Sequence, residues 1–263
     1  MTKFPRAEYK TDSCITSAAR CNIELFIIRH AESGNNSLSD NRDRVVDPPI
    51  TELGRRQAEI LAQHLATGAT HDQVPGAAPG SARAVERKGY GITSLYCSPM
   101  LRSLQTAHPV KEALGLIPKV WVDIHERGGM FLEHGEGQGS VGYPGMTRSE
   151  ILGKYPDYLL PPGVTEEGWW NRDREDPPTA GGRAIRVAED LVAMSETEDR
   201  VAIVSHGTFI NILFKALLDQ LPGNHLYYRH NNTGISRISI RKGSTTEVLS
   251  LNRVDHLPSD MVS

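Results

Sequence analysis

FIIRHAESGN, residues 26–35, sets an adjacent Arg29 and His30 at the end of an apolar run. Residues 23–28 are almost continuously apolar, the pattern of a strand buried on both faces of a parallel sheet. In open α/β sheets ligands bind beyond the carboxyl ends of the strands, which is where this pair would stand. The side chains suit that place. An imidazole can attack phosphorus without a second base to deprotonate it, and a neighbouring guanidinium can hold phosphoryl oxygens through two parallel hydrogen bonds.

Working outward, two more segments repeat the arrangement. Residues 92–97 read as a second strand, followed by Ser98 and Pro99 as N-cap and first-turn proline of a helix that carries Arg102. Pro109 is expected to kink or shorten that helix. Residues 201–205 form a third buried strand, and His206 follows it directly. The helix beginning near Gly207 carries Ile210, Leu213, Phe214, Leu217 and Leu218 on one face, and its first N–H groups would point at the same anion site as His30. Thr51 is a plausible cap for an earlier helix with Leu53, Ala58, Leu61 and Leu65 at helical spacing, on which Arg55 and Arg56 read as solvated charges. Residues 236–240 and 247–251 suit a hairpin turning at Lys242 and Gly243. Strands alternating with helices predict a three-layer α/β/α domain around a mostly parallel sheet.

The chain has 263 residues, 38% apolar and 23% charged, which suits one large domain over residues 21–263 behind a flexible tail at 1–20. Insertions are expected near 67–89, rich in Gly, Ala and Pro, and over 127–178, where a Gly-rich run precedes Trp169 and Trp170. The second is a candidate lid over the site, its aromatic pair serving either substrate or a local core. A net charge of −3 disfavours a nucleic-acid or anionic-membrane partner, so phosphate-binding charge must be concentrated in a pocket. Cys14, Cys21 and Cys97 are odd in number and lack ligand spacing, so neither a disulfide framework nor structural zinc is expected. With no span-length apolar segment and no secretory core, a cytoplasmic location is expected.

Taken together, the motifs resemble the histidine phosphatase superfamily, in its phosphoglycerate-mutase-like branch. That family opens with Arg-His-Gly-x-Ser and a nearby Asn, matched by Arg29, His30, Ser33 and Asn36, with Ala31 in place of the usual glycine. Its Ser-Pro-x-x-Arg-x-x-Gln-Thr-Ala motif matches Ser98, Pro99, Arg102, Gln105, Thr106 and Ala107 without a gap. The late Ser-His-Gly matches Ser205, His206 and Gly207, and residues 50–54 look like the family's Leu-Thr-x-x-Gly helix start.

The resemblance implies two-step phosphoryl transfer on a small-molecule phosphomonoester, with no metal or other cofactor. His30 would be the nucleophile, while Arg29, Arg102 and His206 neutralise the equatorial oxygens and Asn36 and Gly207 add hydrogen bonds. Glu126, in DIHERGG, is the candidate proton donor, with Glu133 and Glu136 as neighbouring alternatives. A cofactor-dependent mutase is the nearest rival, but its Tyr-Gly-x-Leu-x-Gly pattern after the acid is replaced here by Arg127-Gly128-Gly129-Met130-Phe131. A metallohydrolase built on His30, Glu32, His125 and His206 lacks a His-Glu-x-x-His motif and would set a cation beside two arginines. A noncatalytic phospho-ligand-binding module would explain Ala31 but leaves a full set of reactive groups unused.

Overall fold

The strand carrying the opening motif is the first element, β1 (Asn22–Arg29), and its neighbours explain its composition. Phe26 and Ile28 face one hydrophobic core, whereas Ile23, Leu25 and Ile27 face the other. A strand covered on both sides has no solvent face to keep polar, hence an apolar run interrupted only by Glu24. This computed structural model describes residues 22–68, 89–133, 139–223, 225–241, 243 and 245–263. The expected tail at 1–20, nearly all of the 67–89 insertion, Cys14, Cys21, Glu136 and Lys242 lie outside the described residues.

The main sheet has the order β3 (Lys119–Val120), β2 (Ser94–Cys97), β6 (Arg200–Ser205), β1, β7 (Ile235–Arg241) and β8 (Thr246–Arg253). The first four run parallel, and β7 and β8 close the edge as an antiparallel hairpin. Helices α1 (Glu52–Thr67) and α2 (Leu101–Leu114) cover one face, packing Leu61, Leu65, Leu104 and Val110 on it. On the other lie α4 (Pro177–Met194) and α5 (Gly207–Leu217), with Val187, Leu191, Leu213 and Phe214. The fold is the expected three-layer α/β/α arrangement.

Two local expectations need correcting. Ser98 does not cap α2: the N-cap is Met100, and the Leu101 N–H is satisfied by the Asp47 carboxylate at 3.1 Å. Pro109 does not shorten the helix, which runs on to Leu114. The missing N–H costs one hydrogen bond, and burial of Leu104, Ala107 and Val110 outweighs it. The 127–178 segment, the candidate lid, has secondary structure of its own. It holds a small hairpin, β4 (Phe131–Glu133) and β5 (Ser140–Gly142), and the helix α3 (Arg148–Lys154). Trp169 and Trp170 are buried in the α1–α2 core, so the aromatic pair is core. Helix α4 lies outside the elements that periodicity predicts, although Asp176 caps it and Pro177 occupies its first turn.

Candidate active site

His30 and His206 are the first residues beyond two neighbouring parallel strands, so the sheet brings them together. The His30 N–H donates to the Ser205 carbonyl (2.9 Å), and the two imidazole centroids stand 5.0 Å apart. His30 Nδ1 lies 2.6 Å from the Ala31 carbonyl oxygen. A carbonyl can only accept, so Nδ1 carries the proton and Nε2 keeps the lone pair. Arg102 Nε donates to that Nε2 at 3.2 Å. Burial, then the charges of Arg102 and Arg29, hold the His30 pKa well below its ordinary value. The imidazole is therefore neutral, with an in-plane lone pair, at pH 7.

Both arginines are tethered from behind. Arg29 Nη1 donates to the His230 carbonyl (2.6 Å), while its buried Nε has no partner among the described residues. A Cβ at position 207 would come within 3.3 Å of that Nε, so Gly207 lets the guanidinium lie against the start of α5. The Arg102 guanidinium meets the Asp47 carboxylate at 3.6 Å, so Asp47 holds both this side chain and the first turn of α2. Asn36 is oriented through its Oδ1, which accepts from the Ser33 N–H (3.1 Å), Ser33 Oγ (3.0 Å) and Asn232 Nδ2 (3.3 Å).

Glu126 lies close to both arginines, its charge opposing the effect of burial on each. Its carboxylate accepts from the backbone N–H groups of Arg127 (2.7 Å), Phe209 (2.9 Å) and Thr208 (3.2 Å). This corrects one expectation: the Thr208 and Phe209 N–H groups in the first turn of α5 are committed to Glu126 rather than open to an anion. Of the alternatives, Glu133 is 67% exposed and paired with Arg174.

His206 is fully buried and shares a 2.8 Å hydrogen bond between Nε2 and Ser98 Oγ, whereas its Nδ1 has no partner among the described residues. Burial first, then Arg102 and His30, push its pKa well below the usual value. Sequence reasoning gives Ser98 and Asp47 no place in the site. Ser98 carries the same signal as the two histidines, a polar residue directly after a buried strand. Around them Thr106 Oγ1 accepts the Ala31 N–H (3.0 Å), and Asn232 Nδ2 donates to the His30 carbonyl (2.8 Å). Ala31 needs no positive φ, and its methyl packs with Ile50 and Ala58, so the exchange of glycine for alanine is absorbed. Among the described residues no group of three or more His, Cys, Asp or Glu is arranged to hold a metal ion, and no helix is long and apolar enough to cross a membrane.

The chain is similar to known proteins in sequence and in fold. A probable phosphoglycerate mutase of Yersinia enterocolitica is 24% identical over 231 residues, 84% of this chain and 86% of that protein. Phosphoserine phosphatase 1 of Hydrogenobacter thermophilus is 24% identical over 242 residues, covering 89% and 94%. Among solved structures, a phosphoserine phosphatase mutant of Entamoeba histolytica bound to phosphoserine superposes with a TM-score of 0.56 at 19% identity, covering 90% of this chain and all of that one. That likeness shows the shared fold. The family model of the histidine phosphatase superfamily (branch 1) matches residues 25–75 and 76–253, and the chain belongs to that family.

Proposed function

We propose that the chain is a phosphatase that hydrolyses phosphomonoesters of small metabolites through a phosphohistidine at His30. The observation that carries this reading is the state of His30: neutral, proton on Nδ1, lone pair on Nε2 beside a buried arginine. As the incoming phosphoryl oxygens take over the Arg102 N–H that Nε2 accepts, Nε2 attacks phosphorus in line while the ester P–O bond breaks, with Arg29, Arg102 and an Nδ1–H of His206 receiving the equatorial oxygens. Glu126, taking up a proton as the dianionic phosphate ester enters, gives it to the departing oxygen and then takes one from the water that cleaves the P–N bond. Phosphate leaves and His30 returns to its starting form.

Substrates with a second anionic group suit the surroundings. Exposed Arg44 and Arg229 lie near enough to act electrostatically on Arg102 and Arg29 respectively. Arg44 is three residues from Asp47, in a loop pinned where Asn35 Nδ2 donates to the Val45 carbonyl (2.8 Å). Arg229 adjoins His230, which holds Arg29. Phosphoserine and 3-phosphoglyceric acid, the molecules bound in two structures of the Entamoeba enzyme, both carry such a group.

The reading is tested by offering 3-phosphoglycerate with catalytic 2,3-bisphosphoglycerate and following isomerisation and phosphate release together, beside a panel of other phosphomonoesters. Release is expected to exceed isomerisation. Isomerisation that outpaces release by a wide margin would establish a mutase instead.

A further inference from the structure

A buried ion pair stands directly behind Glu126, and no step of the phosphoryl transfer uses it. Arg183 of α4 and Glu175, just before that helix, have side chains 1% exposed and meet through two parallel contacts, Nε to Oε1 at 2.8 Å and Nη2 to Oε2 at 2.6 Å. Taking two charges out of water costs about as much as their attraction returns, and apolar side chains of similar volume often stabilise a core as well or better. Stability alone is thus a weak account of this pair.

Its other polar contacts reach the loop that carries Glu126. Arg183 Nη1 donates to the carbonyls of Asp123 (2.5 Å) and His125 (3.1 Å). On the other side Glu175 Oε2 accepts the Gly128 N–H (3.4 Å), and the Glu175 N–H donates to the Gly128 carbonyl (3.1 Å). The backbone is held both before and after Glu126. The Arg183 guanidinium also lies over the Phe209 ring, 4.4 Å from its centroid, and the Phe209 N–H donates to the Glu126 carboxylate. One ion pair therefore touches the backbone bearing the carboxylate and the helical turn that orients it.

We propose that Glu175 and Arg183 are positioning residues that fix the Glu126 carboxylate at the leaving oxygen, and so control the rate for substrates whose leaving group must be protonated. The inference rests on Glu126 being the acid. An alkoxide requires a proton as it departs, whereas p-nitrophenolate does not, so loss of position should fall unequally on the two kinds of substrate. Displacement of a catalytic group by about 1 Å can cost on the order of 10²-fold.

The test is single-turnover phosphorylation over a series from p-nitrophenyl phosphate through phenyl phosphate to an alkyl phosphate. Glu126→Gln is compared with the double variant Glu175→Met/Arg183→Met, which replaces the pair by apolar volume, and melting temperature monitors the fold. Glu126→Gln should lose about 10²- to 10⁴-fold with the alkyl phosphate and much less with p-nitrophenyl phosphate. The double variant should show the same slope of rate against leaving-group basicity, with an alkyl loss of roughly 10- to 10²-fold. Added to Glu126→Gln it should cause no further alkyl-specific loss. A folded double variant that loses activity equally across the series, or loses none, would make the pair purely structural and overturn the inference. If Glu126→Gln itself penalises all substrates equally, the acid assignment fails first, and that result is distinguishable. Should the double variant not fold, Arg183→Lys decides by the same comparison, because it keeps the buried charge paired with Glu175 while removing the forked geometry that reaches the Asp123 and His125 carbonyls.

Discussion

The role proposed for His30 depends on one carbonyl, since the Ala31 oxygen fixes the proton on Nδ1 and leaves the lone pair on Nε2. The same burial that keeps the imidazole neutral ties it to folding. His30, His125 and His206 sit well below the ordinary histidine value, with desolvation the largest cause in each, and burial brings His230 and His256 down to about 4. As pH falls through about 6.5 the unfolded chain takes up protons on these residues while the folded one does not. Their contribution is therefore complete above pH 6.5 and is lost on acidification, at about 1.4 kcal/mol per pH unit for each group. For His230 and His256 the loss ends near pH 4. The urea midpoint should fall steadily from pH 7 to pH 5, and a midpoint that stays level or rises would contradict these assignments. The residues legible in the sequence are those that chemistry marks by type at a strand end: Arg29, His30 and His206. Ser98 stands at a strand end too, but a hydroxyl is not marked by type as the others are, and Asp47 is not legible because its role depends on partners 54 and 55 positions away.

Helix α1 shows how an element serves the site without entering it. Thr51 Oγ1 accepts the Gly54 N–H (3.0 Å), and the Thr51 N–H donates to the Glu32 carbonyl (2.9 Å), so the helix start is fastened to the chain two residues after His30. A Cβ on Gly54 would stand 2.1 Å from that carbonyl oxygen. Helix propensity alone favours Gly54→Ala by about 1 kcal/mol, but the clash forces backbone apart in a packed region, at a cost of roughly 1–3 kcal/mol. Gly54→Ala should therefore lower the urea midpoint and reduce kcat by shifting residues 31–32, and an increase in stability would show that the contact is loose. At this scale periodicity reveals β1, α1, β6 and α5, which pack one continuous face or two. It misses α4, although Ala180, Ala184, Val187, Ala188 and Leu191 recur on its buried face, because Pro177, Pro178, Gly181 and Gly182 in its first turns read as a loop. The Gly-rich 127–178 segment is misleading because its glycines give close approach rather than looseness: a Cβ on Gly129 or Gly145 would enter the Trp170 or Trp169 ring.

In the whole molecule, four parallel strands deliver their following residues to one edge of the sheet: Ser98 after β2, the Glu126 loop after β3, His30 after β1 and His206 after β6. Parallel strands have all their carboxyl ends on one side, so segments far apart in sequence can build one pocket with little further specification. For that reason the fold class and the centre of the site are legible in the order of strands and motifs, while the contacts locking Glu126, which join residues far apart in the chain, are not. The central claim is that one covalent intermediate forms on the intact chain, at His30. Rapid acid-free quenching during turnover of p-nitrophenyl phosphate, followed by intact-mass analysis and peptide mapping, tests it most directly. The account predicts a single phosphoryl adduct on His30, labile to acid and stable to alkali, that is absent from His30→Ala and persists longer in Glu126→Gln. An adduct on His206, or turnover by His30→Ala at the unsubstituted rate, would contradict it.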